Sequence, residues 1–432
     1  MIMRILCAVG MTPLLIVQGF AQLSLYSSFS YGFHQNPLYN YEKRSDQVRQ
    51  GYLELSYLKA QERGSLGVKY VGGLMNFQQL DDRNYYEHSL SGLYQTRTAV
   101  AAPRKVKPAT DTTDAEEQEE EEEETPAPAS YRDSTGGFFT AGLKISARHD
   151  KPVHSDYDNQ GAELPISYRV SLRGESFLRL TNAFNVRSYN QVTELSNVNN
   201  VLTTEMGVWN DRKFVYGATL SAAVKYYTST VYDTARFEKA RTFVEKTTGK
   251  GKPGGKELVP SGKDILVQPQ ANGTIQLAGA LFVRQEWENQ SLFTAHIQYR
   301  LNLRSEARYL AQRTSTSMMT EDIYNDFFSY QGPLLSARFT HTLPAAIQLI
   351  LDADFESKQF SAPALNLDGS EIGKDRTDLR AGLEFYLSRY FQLTPNMGLD
   401  LFLSGGILRN QSNDSYNDFS LYSIGGGFGI GF

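Results

Sequence analysis

The chain has 432 residues, with 43 Lys and Arg against 48 Asp and Glu, a formal net charge of −5 and 12% aromatic residues. This near-neutral balance excludes the basic footprint of a nucleic-acid binder. A single cysteine excludes a disulfide framework or thiolate metal cluster. Mean hydropathy is −0.41 and, after the first residues, no run is long and apolar enough for a membrane helix. The 26 Tyr and 24 Phe favour strands and membrane interfaces.

The first residues carry one basic residue, Arg4, an apolar core (ILCAVGMTPLLIV), and small residues at Gly19 and Ala21. This pattern predicts an export signal over 1–21, cleaved before Gln22. Cys7 lies inside the apolar core rather than at the cleavage point, so lipidation is not expected and the mature chain, 22–432, has no cysteine.

From Leu23 to Tyr31 apolar and small polar residues alternate, the period of a strand with one apolar face. A polar loop at 34–47 and a tight turn at 59–64 flank a second strand with Leu53, Leu55 and Tyr57 on one face. Leu66, Val68 and Tyr70 mark a third strand, a loop spans 77–86, and a fourth strand runs to Arg97. Long and short connections thus alternate, as in outer-membrane barrels with long outer loops and short periplasmic turns.

Residues 98–135 break that rhythm, because Asp111–Glu124 holds ten carboxylates between prolines. Such a block is expected to be disordered, and strand parity puts it in the periplasm. There it could act as a tethered counter-charge plug, dock a basic partner, or only stay solvated. Plugging predicts that deleting Asp111–Glu124 raises conductance at low salt and changes little at high salt.

Phe139 to Ile145 then alternate with Lys144 and Arg148, a loop is expected at 149–162, and Ile166 to Leu172 alternate with Arg169 and Arg173. Leu178, Leu180 and Phe184 oppose Arg179. An eighth strand near 201–210 is weakly patterned, and a ninth covers Phe214–Tyr227. The Lys- and Gly-rich segment 228–271 predicts a long mobile outer loop. Later strands carry Ile297 and Tyr299 against Arg300, Ala337 and Phe339 against Arg338, and Leu349 and Leu351 against Asp352, Asp354 and Glu356. They continue with Leu379, Leu383 and Phe385 against Arg380 and Glu384, and Leu401 against Asp400. Loops are expected at 305–330 and a turn at Leu343-Pro344.

The last stretch reads FSLYSIGGGFGIGF, with Tyr422, Ile424, Phe428, Ile430 and Phe432 on one face and Ser423 and four glycines on the other. It resembles the C-terminal strand by which Gram-negative outer-membrane proteins are handed to their barrel assembly machinery. The resemblance implies export to the outer membrane and is silent on function. The last sixty or so residues also loosely resemble the barrel of surface lipoprotein assembly modifiers, a likeness from which no function is carried over.

The predicted fold is all-β, a transmembrane antiparallel up-and-down barrel of about sixteen strands; a soluble sandwich or propeller would alternate too but leaves the export signal and terminal Phe unexplained. Ile297, Tyr299, Leu349, Leu351, Leu379, Leu383, Phe385, Phe428 and Phe432 are expected to face lipid. The charged set Lys144, Arg148, Arg169, Arg173, Arg179, Arg284, Arg300, Arg338, Arg380, Asp352, Asp354, Glu356, Glu384 and Asp400, with Arg187 and Arg304, is expected to line a lumen, since a midplane Arg or Lys facing lipid costs roughly 2–4 kcal/mol. Basic middle strands and acidic late strands would set a field across the pore, or would pair and stiffen the wall.

No enzyme, metal or cofactor is expected. His149 and His154 have the nearest approach to ligand spacing, in a polar loop. His149-Asp150 and Ser155-Asp156 are residue types used by outer-membrane hydrolases, without a surrounding motif. These features imply passage of small polar or anionic solutes, or alternatively a non-conducting accessory barrel that binds other envelope proteins. Outer-membrane lipid is the expected surrounding in both cases.

Overall fold

Eighteen strands form in the computed structural model: β1 (Ala21–His34), β2 (Asp46–Gln61), β3 (Gly64–Phe77), β4 (Tyr85–Arg97), β5 (Gly137–Asp150), β6 (Asn159–Ser171), β7 (Ser176–Tyr189), β8 (Asn197–Asp211), β9 (Phe214–Tyr227), β10 (Phe243–Thr248), β11 (Lys252–Leu258), β12 (Gly273–Glu286), β13 (Leu292–Arg304), β14 (Tyr330–Leu343), β15 (Ile347–Leu365), β16 (Glu371–Thr394), β17 (Met397–Ser412) and β18 (Phe419–Gly431). The structure describes residues 21–37, 44–97, 137–229, 273–304 and 328–432, apart from short breaks in connections, together with β10 and β11. The predicted signal, the acidic insert 98–135 and Arg173 lie outside the described residues.

Sixteen strands close into one antiparallel barrel, and β10 pairs with β11 in a separate hairpin. The ring closes where β18 meets β1, from Tyr26 opposite Gly431 to His34 opposite Ser423. Beyond this ladder Leu25 and Phe432 exchange two backbone hydrogen bonds, at 3.2 and 2.8 Å. The barrel therefore has no open sheet edge to template pairing with another chain.

The glycine face of β18 has a steric reason. A β-carbon at Gly429 would meet the Tyr26 ring, and one at Gly427 would meet the Phe402 ring and the Phe29 carbonyl. Large inward rings therefore lie along the wall, in space that the glycines leave free. Phe282 does the same over Gly217, and Tyr386 stacks on Phe402 with centroids 5.7 Å apart.

Several connections are shorter than the sequence predicts. The turn expected at 59–64 shrinks because β2 continues to Gln61 and β3 begins at Gly64, and the loop expected at 149–162 ends where β6 begins at Asn159. Polar residues at these ends still satisfy the ladder, so pairing outruns the apolar alternation. The weakly patterned eighth strand is full length, paired with β7 and β9. Its inner face is held by side-chain hydrogen bonds, Asn185 to Asn199 at 3.0 Å and Thr203 with Ser221 at 3.0 Å. Within 228–271, predicted to be loop throughout, the structure contains the β10–β11 hairpin.

The two ends of the barrel differ. Except for residues 98–136 between β4 and β5, short turns join strands at the end where β1 starts and β18 finishes; the other longer connections lie at the opposite, loop end. There the interior is packed: Val48, Met75, Phe77, Leu80, Tyr85, Tyr189 and Leu195 form one buried cluster. The outer face, by contrast, leaves large apolar side chains exposed all round, among them Leu55, Leu143, Leu220, Leu281, Ile297, Leu335, Leu383 and Ile424. A continuous apolar surface of this kind is a site of contact with lipid or protein, not with water.

Candidate functional site

The inner wall carries the charged residues, and the strand period decides how they meet. Residues i and i+2 share a face, so R-x-D and E-x-K become ion pairs along one strand. Arg148 holds Asp150 in a bidentate contact (2.9 and 3.1 Å) with its guanidinium 3.9 Å above the Tyr85 ring. Arg376 grips Asp378 (3.0 and 2.5 Å) and lies 4.1 Å over Phe360. Glu356 accepts from Lys358 at 3.2 Å and from Arg300 of β13 at 2.9 Å, with the Tyr330 hydroxyl donating to it at 2.7 Å. All three clusters sit in the packed layer at the loop end, where Arg148, Glu356, Arg376 and Asp378 are buried.

Nearer the turn end the pairs remain wet and, apart from Arg284 with Glu286 on β12, run between strands. Arg338 and Asp352 stand opposite in the β14–β15 register and meet at 2.6 and 3.0 Å, with Arg338 60% exposed. Arg380 approaches Asp354 at 3.5 Å, without hydrogen-bond geometry at its Nε. Arg179 reaches Glu205 at 3.5 Å, Arg284 reaches Glu286 at 3.8 Å, and Lys69 reaches Glu54 at 2.7 Å. Arg169 and Arg179 face each other directly across β6 and β7. Their repulsion is relieved because Arg169 turns onto the Phe177 ring, 4.2 Å away, while Arg179 takes Glu205.

Pairing is thus the rule among the residues predicted to line a lumen, and it is local rather than across the barrel. A side-to-side imbalance remains. On the inner face β5 to β7 carry Lys144, Arg148, Arg169, Arg179 and Arg187 against Asp150 and Glu163, whereas the β15–β17 ladder carries Asp352, Asp354, Glu356, Asp378, Glu384 and Asp400 against Lys358, Arg376 and Arg380. β6 and β16 are eight strands apart in either direction round the ring, so the basic and acidic walls are diametrically opposed. Among the described residues Lys144, Glu384 and Asp400 make no ion pair.

Of the residues predicted to face outward, Ile297, Tyr299, Leu351, Leu379, Leu383, Phe428 and Phe432 are exposed, and Leu349 and Phe385 are half-buried on the same face. The Phe385 ring covers Gly405. The alternation placed Glu54 opposite the outward face of β2 but did not single out Lys69, Glu205, Tyr330 or Arg376 as wall residues. The i, i+2 charge spacing would have found Arg376; the others need the strand register. Among the described residues no group of three His, Cys, Asp or Glu could hold a metal ion.

No family model matches the chain, and no curated protein matches it in sequence. Similar solved structures include CdiB from Acinetobacter baumannii, at 10% identity and a TM-score of 0.44, with 95% of this chain aligned; the chain spans 60% of that protein's length. Pseudomonas aeruginosa OccK2 (OpdF), solved in complex with glucuronate, is 12% identical over 96% of this chain and 99% of its own, with a TM-score of 0.41. P. aeruginosa OprD is 12% identical over 96% of each chain, also at 0.41. These likenesses reach no further than the barrel.

Proposed function

We propose that this chain is an outer-membrane channel that passes small polar or anionic solutes selectively. The observation that carries the proposal is the inner wall: charged side chains such as Arg338 and Arg284 remain 60% and 50% exposed inside the barrel, while Phe282, Phe402 and Tyr386 lie along the wall instead of blocking it. A sixteen-stranded ring is wide enough for water, and opposed basic and acidic walls focus a field on whatever enters. The outward apolar residues face lipid in this reading, and the terminal strand β18 is the handle for barrel assembly.

A second reading, a non-conducting accessory barrel, rests on the packing at the loop end. Planar-bilayer recording of the refolded protein separates the two: discrete conductance steps are expected, and a silent bilayer moves the assignment to the accessory role.

The facing of the wall has its own test. In a mature chain without cysteine, Glu384→Cys should react with a water-soluble maleimide and Leu383→Cys should not; the reverse order means that the register is off by one. Selectivity has another. Arg338→Gln leaves Asp352 without its partner, so the anion-to-cation permeability ratio should fall about twofold, the scale of one charge roughly 8 Å away in water. An unchanged ratio means that this pair contributes nothing to selection.

A further inference from the structure

The inner wall between β3 and β7 contains a recess of about 480 Å³, the size of a small-molecule site. Its origin is a row of small residues in one line of the register: Ser89 stands opposite Ser146, and Ser146 opposite Gly161. The rows on either side carry longer side chains, cationic at Lys69, Lys144 and Arg148, with Glu87 opposite Arg148. Toward the turn end, Lys69, Ser91 and Lys144 stand in line; toward the loop end, Arg148 stands beside Asn159; Arg187 closes the row beside Gly161. A floor of hydroxyls with basic walls is the result.

Of the four carboxylates near the recess, Glu54, Glu87, Asp150 and Glu163, Glu87 alone is part of its lining. Glu87 lines it but folds across Gly73, its Cγ 3.0 Å from where a β-carbon would stand. Asp150 is taken by Arg148 and Glu54 by Lys69, which stays 46% exposed. Glu163 is opposite Lys144 in the register, yet the ammonium makes no ion pair among the described residues.

We infer that this recess binds a hydroxylated organic carboxylate, with Lys144 and Lys69 meeting the anion and Ser89, Ser146 and Asn159 meeting its hydroxyls. The inference rests on the channel reading for its biological sense but not for its test. A charge-assisted hydrogen bond in a partly enclosed site adds enough to favour such a solute over a neutral sugar of the same size, and the polar floor favours it over an apolar acid.

Calorimetric titration of the detergent-solubilised barrel with gluconate, glucose and butanoate tests the site without requiring passage. Gluconate is expected to bind, glucose not to bind, and butanoate to bind more weakly. Lys144→Gln, at an exposed position that leaves folding untouched, should weaken gluconate about tenfold; Gly161→Leu, which fills the floor, should abolish binding; Thr203→Ala, on β8 outside the recess, should leave it unchanged. Absence of gluconate binding, equal binding of glucose, or an unaffected Lys144→Gln variant overturns the site. Bilayer recording of the same preparation reads the channel separately: steps without gluconate binding remove the recess and keep the channel, and binding without steps does the reverse.

Discussion

Asp378→Ala should lower the unfolding temperature of the barrel in detergent more than any other single substitution in the inner wall. Asp378 is 4% exposed and accepts from Arg376, Asn410 (3.3 Å) and Ser412 (2.6 Å). Its removal takes the bidentate carboxylate away from the Arg376 guanidinium, which is buried against Phe360, and breaking such a pair costs about 3–5 kcal/mol. The double variant Arg376→Met, Asp378→Leu should recover most of the loss, since replacing a whole buried pair with apolar volume is close to neutral. Asn410 would keep the Asn417 carbonyl at 2.6 Å, and Ser412 would keep the Asp414 amide at 3.0 Å. Thermal denaturation followed by circular dichroism gives both numbers. A single variant as stable as the parent would show that water reaches Arg376.

How much of this could be read from the residues depends on the range of each interaction. Two-residue alternation exposes the outward face of almost every strand, so Leu379, Leu383 and Phe385 were legible against Arg380 and Glu384. The full length of β8 was not, because its inner face is held by Asn185–Asn199 and Thr203–Ser221 contacts that no hydropathy pattern records. The charge imbalance between middle and late strands was legible, but its geometry was not: a sequence cannot say that Arg338 meets Asp352 while Lys144 meets no carboxylate among the described residues, since that follows from register and rotamer. The recess was hidden for the same reason. Ser89, Ser146 and Gly161 lie on three strands and form a floor only once the ladders align. The glycines of β18 were legible as a small face; that Tyr26 and Phe402 occupy it needed the closed ring.

The second large effect is expected at Asp46, whose substitution by Ala should release the connection between β3 and β4. Asp46 is 1% exposed and has no cationic partner in its hydrogen bonds; it acts through backbone amides. One oxygen accepts from Gln47 (2.6 Å), Gln78 (3.2 Å) and Gln79 (2.9 Å), and the other from Gln79 (3.1 Å) and Leu80 (2.8 Å). The carboxylate thereby fastens the connection to the start of β2 and seats Leu80 in the buried cluster with Val48, Phe77 and Tyr85. In Asp46→Ala the Gln78 amide keeps the Gln47 carbonyl at 3.1 Å, but the Gln79 and Leu80 amides lose their partner. An unsatisfied buried donor costs about 1–3 kcal/mol; Leu80 is buried while Gln79 is exposed to water, so the Leu80 amide opens this segment by roughly 1–3 kcal/mol and raises its amide exchange about fivefold or more. Asp46→Asn, retaining one acceptor oxygen, should fall between. Exchange in the β-ladder between β2 and β3 should hardly change, because its bonds are backbone to backbone. Hydrogen exchange followed by mass spectrometry over residues 76–84 decides the matter: parental exchange rates there in Asp46→Ala would mean that the packed cluster, and not the carboxylate, holds the loop end in place.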